Sequence, residues 1–175
     1  MNVIPARVGA PLDEIDTPAL IVDLDAFESN VSSMAAFARH AGVRLRPHAK
    51  THKCPMIALR QIGAGAVGQC CQKVGEAEAF VESGVRNVLV TNEIVGRAKL
   101  ARLAAMAKKA TVAVLADDAD VVREIGAAAT AAGVSIAVLV EVDVGARRCG
   151  VARLSITASG STVCWASVRG MSSPS

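Results

Sequence analysis

The chain has 175 residues and a mass of 17.9 kDa, enough for one ordinary domain with a substantial core and too little for two. Apolar residues make up 52% but aromatics only 2%, with no Tyr, so the core must come from Ala, Val, Leu and Ile. The net charge of +3 is spread along the chain, with no basic stripe or stacking aromatics for nucleic acid and no stretch suited to a membrane surface.

No apolar run reaches membrane-spanning length, and with acidic residues in the first 25 positions neither a secretory signal nor a transit peptide is expected. The five cysteines form an odd set without C-x-x-C spacing, and Cys70 and Cys71 are adjacent. Free thiols in a reducing compartment, hence a cytoplasmic protein, are the expectation.

In chain order, the apolar segment Ala19–Leu24 reads as a strand set apart from the later runs, able to join a separate sheet. Asp25, with Glu28 three residues on, predicts the N-cap of a helix whose apolar face carries Phe27, Val31, Met34 and Ala38. Gly42 then suits a left-handed helix end, and Gly84 and Gly133 stand in the same relation to the runs after them. Short β-branched runs recur at Val43–Arg46, Ala66–Cys70, Asn87–Thr91, Thr111–Ala116 and Ser135–Val142, with Ala-rich helical stretches between. Lys108 and Lys109 close one such helix, and Asp117 or Asp118 opens the next.

Strand and helix alternating every ~20–25 residues is the rhythm of a parallel βα architecture. The nearly continuous apolar strands predict a sheet buried on both faces, as in an open doubly wound sheet or a (β/α) barrel. No G-x-G-x-x-G follows the first strand, and Gly63-Ala64-Gly65 reads as a loop. After Asp143 there is no acidic residue, Ser becomes frequent, and no further amphipathic helix is read beyond Gly150. Residues 152–175 are therefore expected to be irregular, and the abrupt change near Val151–Arg153 points to an interrupted reading frame.

The densest chemistry is Arg46-Pro47-His48-Ala49-Lys50-Thr51-His52-Lys53, leaving the first regular strand. Pro47 cannot donate to a ladder and marks a strand end, the rim at which parallel βα barrels collect their active sites. A lysine crowded by cations has its neutral amine favoured, as Schiff-base chemistry requires; a solvated basic loop is the alternative reading of the same residues. His48, His52 and Cys54 invite comparison with a zinc site, but no fourth ligand stands at a diagnostic spacing, so no metal is assigned to them.

These segments resemble a known group. Thr17-Pro18-Ala19-Leu20-Ile21-Val22-Asp23-Leu24-Asp25 and the block around Lys50 are similar to the N-terminal part of the D-threonine aldolase, 3-hydroxy-D-aspartate aldolase and D-serine dehydratase group. Val67-Gly68-Gln69-Cys70-Cys71-Gln72-Lys73-Val74-Gly75-Glu76 and Val88-Leu89-Val90-Thr91-Asn92-Glu93 resemble the 3-hydroxy-D-aspartate aldolases most closely. Glu141-Val142-Asp143-Val144-Gly145-Ala146-Arg147-Arg148-Cys149-Gly150 extends the resemblance to about Val151.

The resemblance implies an α/β fold: a partial pyridoxal 5'-phosphate (PLP)-binding (β/α)8 TIM-type barrel of alanine-racemase type, of about five βα units. Residues 1–25 would carry a strand of the β domain, 26–151 the incomplete barrel and 152–175 the irregular tail, with the C-terminal β domain absent. It implies a PLP-dependent lyase cleaving D-3-hydroxy amino acids, a homodimer in full-length relatives, with this chain alone expected to be inactive. Lys50 would carry the cofactor as a Schiff base. Gln72 would contact it, unless it serves only as a polar residue at a helix start. Arg148 would lie near the ring hydroxyl, with Arg147 its neighbour in register. His48 and His52 would shape the site or pack the loop, and the cysteines carry no assigned chemistry. The group also uses a divalent metal (Mn, Mg, Co or Zn), its ligands expected in the later β domain and none in this chain. A dehydratase is the alternative within the group; a non-catalytic PLP-binding protein or inert fragment is the alternative outside it. A racemase is disfavoured because the chain has no Tyr to serve as second base.

Overall fold

The structure is a computed structural model that describes residues 6–152 and, as backbone, the strand at 165–169. Its helices are α1 (Leu24–His40), α2 (Pro55–Gly63), α3 (Val74–Glu82), α4 (Arg97–Ala107) and α5 (Ala119–Ala132). Its strands are β1 (Gln69–Cys71), β2 (Asn87–Glu93), β3 (Thr111–Ala116), β4 (Ser135–Val140), β5 (Val142–Asp143), β6 (Val151–Ala152) and β7 (Trp165–Arg169).

Strands β1 to β4 lie side by side in chain order and pair in parallel, each joined to the next by a helix. That order is the arc of a (β/α) barrel, and it excludes the strand reversal of a doubly wound sheet. Val88, Val90, Val112, Val114, Ile136 and Val138 alternate along the strands and share one core with Phe80, Leu103 and Ile125 of the helices. Leu89, Leu115 and Leu139, between them, are only half-buried. The sheet is thus sealed by helices on one face, whereas the sequence predicts burial on both.

Helix ends follow local chemistry. Asp118 caps α5, its carboxylate accepting from the Asp120 and Val121 amides at 2.7 and 3.1 Å. Gly133 ends that helix in the left-handed region (φ 66°), as its position predicts. Helix α1 starts earlier than predicted. Asp23, not Asp25, is its N-cap, accepting from the Ala26 amide at 2.9 Å.

Three further expectations are corrected. Ala19–Leu24 is not a strand: 19–23 are irregular and Leu24 already belongs to α1. Val43–Arg46 is extended but is not a regular strand. Leu45 and Pro47 carbonyls accept from Val67 and Cys70, and a single bridge joins His48 to Cys70. Pro47 has no amide to return, so the ladder is broken there. Within the stretch expected to be irregular, β7 pairs antiparallel with β4, from Ser135–Arg169 to Leu139–Trp165. It occupies the edge that the next parallel strand of a barrel would take, satisfying backbone groups left over on β4. The rest of that tail, and the reading-frame expectation near Val151–Arg153, fall largely outside the described residues. Among the described residues no helix is long and apolar enough to cross a membrane.

Candidate active site

The segment 46–54 is pinned to the sheet edge by its backbone. The Cys70 amide donates to the Pro47 carbonyl and the Ala49 amide to the Cys70 carbonyl, both at 2.8 Å. Arg46 reaches across to the Asn87 side chain at 3.0 Å. Ala49 is buried and Lys50, next to it, is exposed. A turn closes behind Lys50, with the Lys53 amide donating to the Ala49 carbonyl at 2.8 Å and Lys53 at φ 48°. The lysine is therefore carried on fixed backbone at a strand end.

The two histidines of this segment part company. His52 accepts from the Cys54 amide at 3.0 Å and sets its ring edge-on to Phe80, with centroids 6.2 Å apart. It packs the loop onto the helix layer. His48 turns to the other side and lines the cleft, where its ring contacts Thr91 at 2.8 Å. Burial, then the charge of Lys50, holds the His48 pKa below its ordinary value, against the pull of Glu76. With their imidazoles on different partners, His48 and His52 do not form a metal pair.

That cleft, of about 340 Å³, lies at the C-terminal ends of the strands and gathers Lys50, Gln72 and Arg148 with His48, Thr91 and Glu141. All three residues singled out in the sequence thus meet in one place. Gln72 is not spent on starting α3: no side chain caps that helix at Lys73, and the Gln72 amide itself donates to Glu76 at 2.8 Å. Lys53 lies 3.6 Å from the same Glu76 carboxylate.

Arg148 sits on a loop tied at both ends. The Asp143 carboxylate accepts from the Gly145 and Arg147 amides at 2.8 and 3.0 Å, which holds its pKa below the usual carboxylate range. The Asp117 carboxylate accepts from the Gly150 amide at 2.9 Å. This settles the two aspartates after β3: Asp118 serves the helix and Asp117 serves the loop. At Gly150 (φ 101°) a Cβ would stand 2.6 Å from the Asp143 amide nitrogen, so only glycine fits. Arg147 takes φ 52°, and of the adjacent arginines it is Arg148 that lines the cleft.

Beside Arg148 lies a cluster not anticipated from the sequence. Ligand atoms of Glu93, Glu141 and Cys149 fall within 4.8 Å of one another. The Cys149 thiol donates to Glu141 at 3.0 Å, and its pKa is pushed up to about 12, first by that bond, then by burial and by Glu93. A thiol proton held by carboxylates is a poor start for a metal ligand, which must be a thiolate. A metal bound there would first have to displace that proton. Cys71 is likewise pushed up to about 12, chiefly by burial, which removes it as a nucleophile.

Thr91, Glu93 and Glu141 were missed because each is an ordinary residue in sequence. The available signal was their place at the C-terminal ends of β2 and β4, the rim where a barrel concentrates its chemistry.

Comparison with known proteins gives the family and agrees with the fold. The family model described as "Alanine racemase, N-terminal domain" matches residues 22–159. A D-threonine aldolase of Arthrobacter sp is 52% identical over 147 residues, 84% of this chain and 39% of its own length. A 3-hydroxy-D-aspartate aldolase of Paracoccus denitrificans is 47% identical over 150 residues, again 39% of its length. The crystal structure of D-threonine aldolase from Filomicrobium marinum superposes with a TM-score of 0.82 at 57% identity, over 85% of this chain and 40% of that one. The chain thus spans about two fifths of the length of the relatives it matches.

Proposed function

We propose that this chain, which belongs to the family of the alanine racemase N-terminal domain, is the cofactor-holding part of a PLP-dependent lyase acting on D-3-hydroxy amino acids. The observation that carries the reading is the convergence of Lys50, Gln72 and Arg148 in one strand-end cleft. The identities of 52% and 47% to aldolases support an aldolase, which releases glycine with an aldehyde or glyoxylate.

The residues of the cleft fit PLP. An exposed lysine amine on buried backbone suits its aldehyde, a guanidinium suits its ring hydroxyl, and an amide side chain free of capping duty suits its polar edge. When bound, PLP supplies an electron sink for the bond broken next to the substrate amine. Lys50 would hold it through its amine, Arg148 would hold the ring oxygen in its ionised form, and Gln72 would orient the ring. The tethers from Asp143 and Asp117 hold the loop on which Arg148 lines the cleft. His48, whose pKa burial and the Lys50 charge hold below its ordinary value, would line the cofactor site without adding a fixed charge.

The substrate would be a small D-3-hydroxy amino acid, and the lyase a cytoplasmic homodimer. Product analysis with D-threonine and 3-hydroxy-D-aspartate tests the reading. Glycine with an aldehyde or oxo-acid supports an aldolase, and ammonia with a keto acid transfers the segment to a dehydratase. Since this chain alone is expected to be inactive, the lyase reading is overturned by cofactor uptake instead: no PLP bound, with Lys50→Ala indistinguishable from the parent in the absorbance of added PLP.

A further inference from the structure

We infer that His48 is a positioning residue for Lys50, held in a single tautomer by Thr91 so that its other ring nitrogen fixes the lysine's backbone. The inference rests on the reading of Lys50 as the cofactor-holding lysine, and it gives a task to two residues that the motif alone leaves without one.

The geometry leaves little choice of proton placement. The Lys50 amide donates to His48 Nδ1 at 3.2 Å, so that nitrogen is an acceptor and carries no proton. A neutral imidazole must then carry its proton on Nε2, which lies 2.8 Å from Thr91 Oγ1. Thr91 can accept that proton because its own hydroxyl donates elsewhere, to the Cys71 carbonyl at 3.2 Å. The chain runs from the Lys50 amide through an imidazole and a hydroxyl to the Cys71 carbonyl, with the Thr91 hydroxyl both accepting and donating.

This chain of bonds ties three neighbouring strand ends together: the extended 45–49 segment, β1 at Cys71 and β2 at Thr91. The Lys50 amide has no carbonyl partner in the sheet ladder, because the regular pairing ends with the Ala49 amide on Cys70. His48 supplies the missing acceptor. The lysine backbone is then fixed at Ala49 by the sheet and at Lys50 by the imidazole, and the amine projects from a rigid base into the cleft. Desolvation and the Lys50 charge favour the neutral ring on which the arrangement depends. A protonated His48 would carry hydrogens on both nitrogens and lose its bond to the Lys50 amide.

The test reads the ring directly. In the 175-residue chain with 15N-labelled histidine, NMR should show His48 as one neutral tautomer, protonated on Nε2. Thr91→Val keeps the shape of the side chain and removes the hydroxyl; it should abolish the single-tautomer signature and speed exchange of the Lys50 amide proton. Thr91→Ser restores the hydroxyl and should restore both. With PLP added, capture of Lys50 by borohydride reduction should slow in the valine variant and recover in the serine variant. A proton on Nδ1 in the parent chain, or a valine variant with unchanged tautomer and amide exchange, overturns the inference. If Lys50 captures no PLP in any variant while the ring and amide readouts behave as expected, the cofactor reading fails and the positioning of the Lys50 backbone by His48 stands.

Discussion

Along β2 the side chains divide between two environments. Val88 and Val90 are fully buried and belong to the core shared with Phe80 and Leu103 of the helices, whereas Leu89 and Thr91 alternate to the other face and stay half-exposed. The same division holds along β3 and β4, where Val114 and Ile136 are sealed and Leu115 and Leu139 are not. One set of strands thus serves a dry helix-packed layer on one side and, at the C-terminal ends, a polar cleft lined by Lys50, Arg148 and Glu141 on the other. Stability resides in the first region and the proposed chemistry in the second, because close packing leaves no room for a ligand and exposed polar groups contribute little to folding.

The division fails if the two faces respond alike to truncation. Phe80→Ala, at a residue 2% exposed, should cost about 3–5 kcal/mol in urea unfolding. Leu115→Ala on the cleft side should cost roughly 1 kcal/mol, since only part of that side chain leaves water on folding. Equal losses would mean that the cleft face is packed as tightly as the helix face.

Smaller effects test what holds the cleft in shape. Gly150→Ala forces a Cβ into the Asp143 backbone at positive φ and should cost about 1–3 kcal/mol, with the Arg148 loop displaced. Asp118→Ala removes the α5 cap and should cost about 1 kcal/mol without touching the cleft. Arg148→Ala should change unfolding stability by no more than about 0.5 kcal/mol while weakening PLP binding, which equilibrium absorbance titration would read.

Acid titration probes the loop that carries Arg148. The folded Asp143 carboxyl titrates below its unfolded value of about 3.9 because two backbone amides favour its charged form. It therefore contributes stability above that value, lost as pH falls through the folded pKa. Asp143→Asn should flatten the acid limb of the stability profile below about pH 4 and leave the profile near neutrality parallel to the parent's.

Much of the helix-packed layer is legible from residue pattern, and much less of the cleft. The runs at Asn87–Thr91, Thr111–Ala116 and Ser135–Val142 announce β2, β3 and β4 because β-branched residues recur at a regular interval with glycines and aspartates between. The first run misleads because Pro47 interrupts a ladder that composition alone suggests. Ala19–Leu24 misleads because an apolar run does not reveal whether a neighbouring strand exists to pair with it.

In the cleft, Lys50 and Arg148 stand out through their charged neighbourhoods and the family resemblance. Thr91, Glu93 and Glu141 do not, since their meaning arises only when three strand ends are laid side by side. His48 and His52 show the same limit. Four residues apart on paper they suggest a shared ligand, and in the fold they face different layers.

Whether Lys50 holds the cofactor is best decided chemically. The chain is incubated with PLP, reduced with borohydride, digested and mapped by mass spectrometry. One dominant pyridoxyl-modified peptide is expected, carrying the label on Lys50, and its loss is expected in Lys50→Ala. Label spread over Lys53, Lys73 and Lys99 in proportion to their exposure, or no label at all, would overturn the assignment.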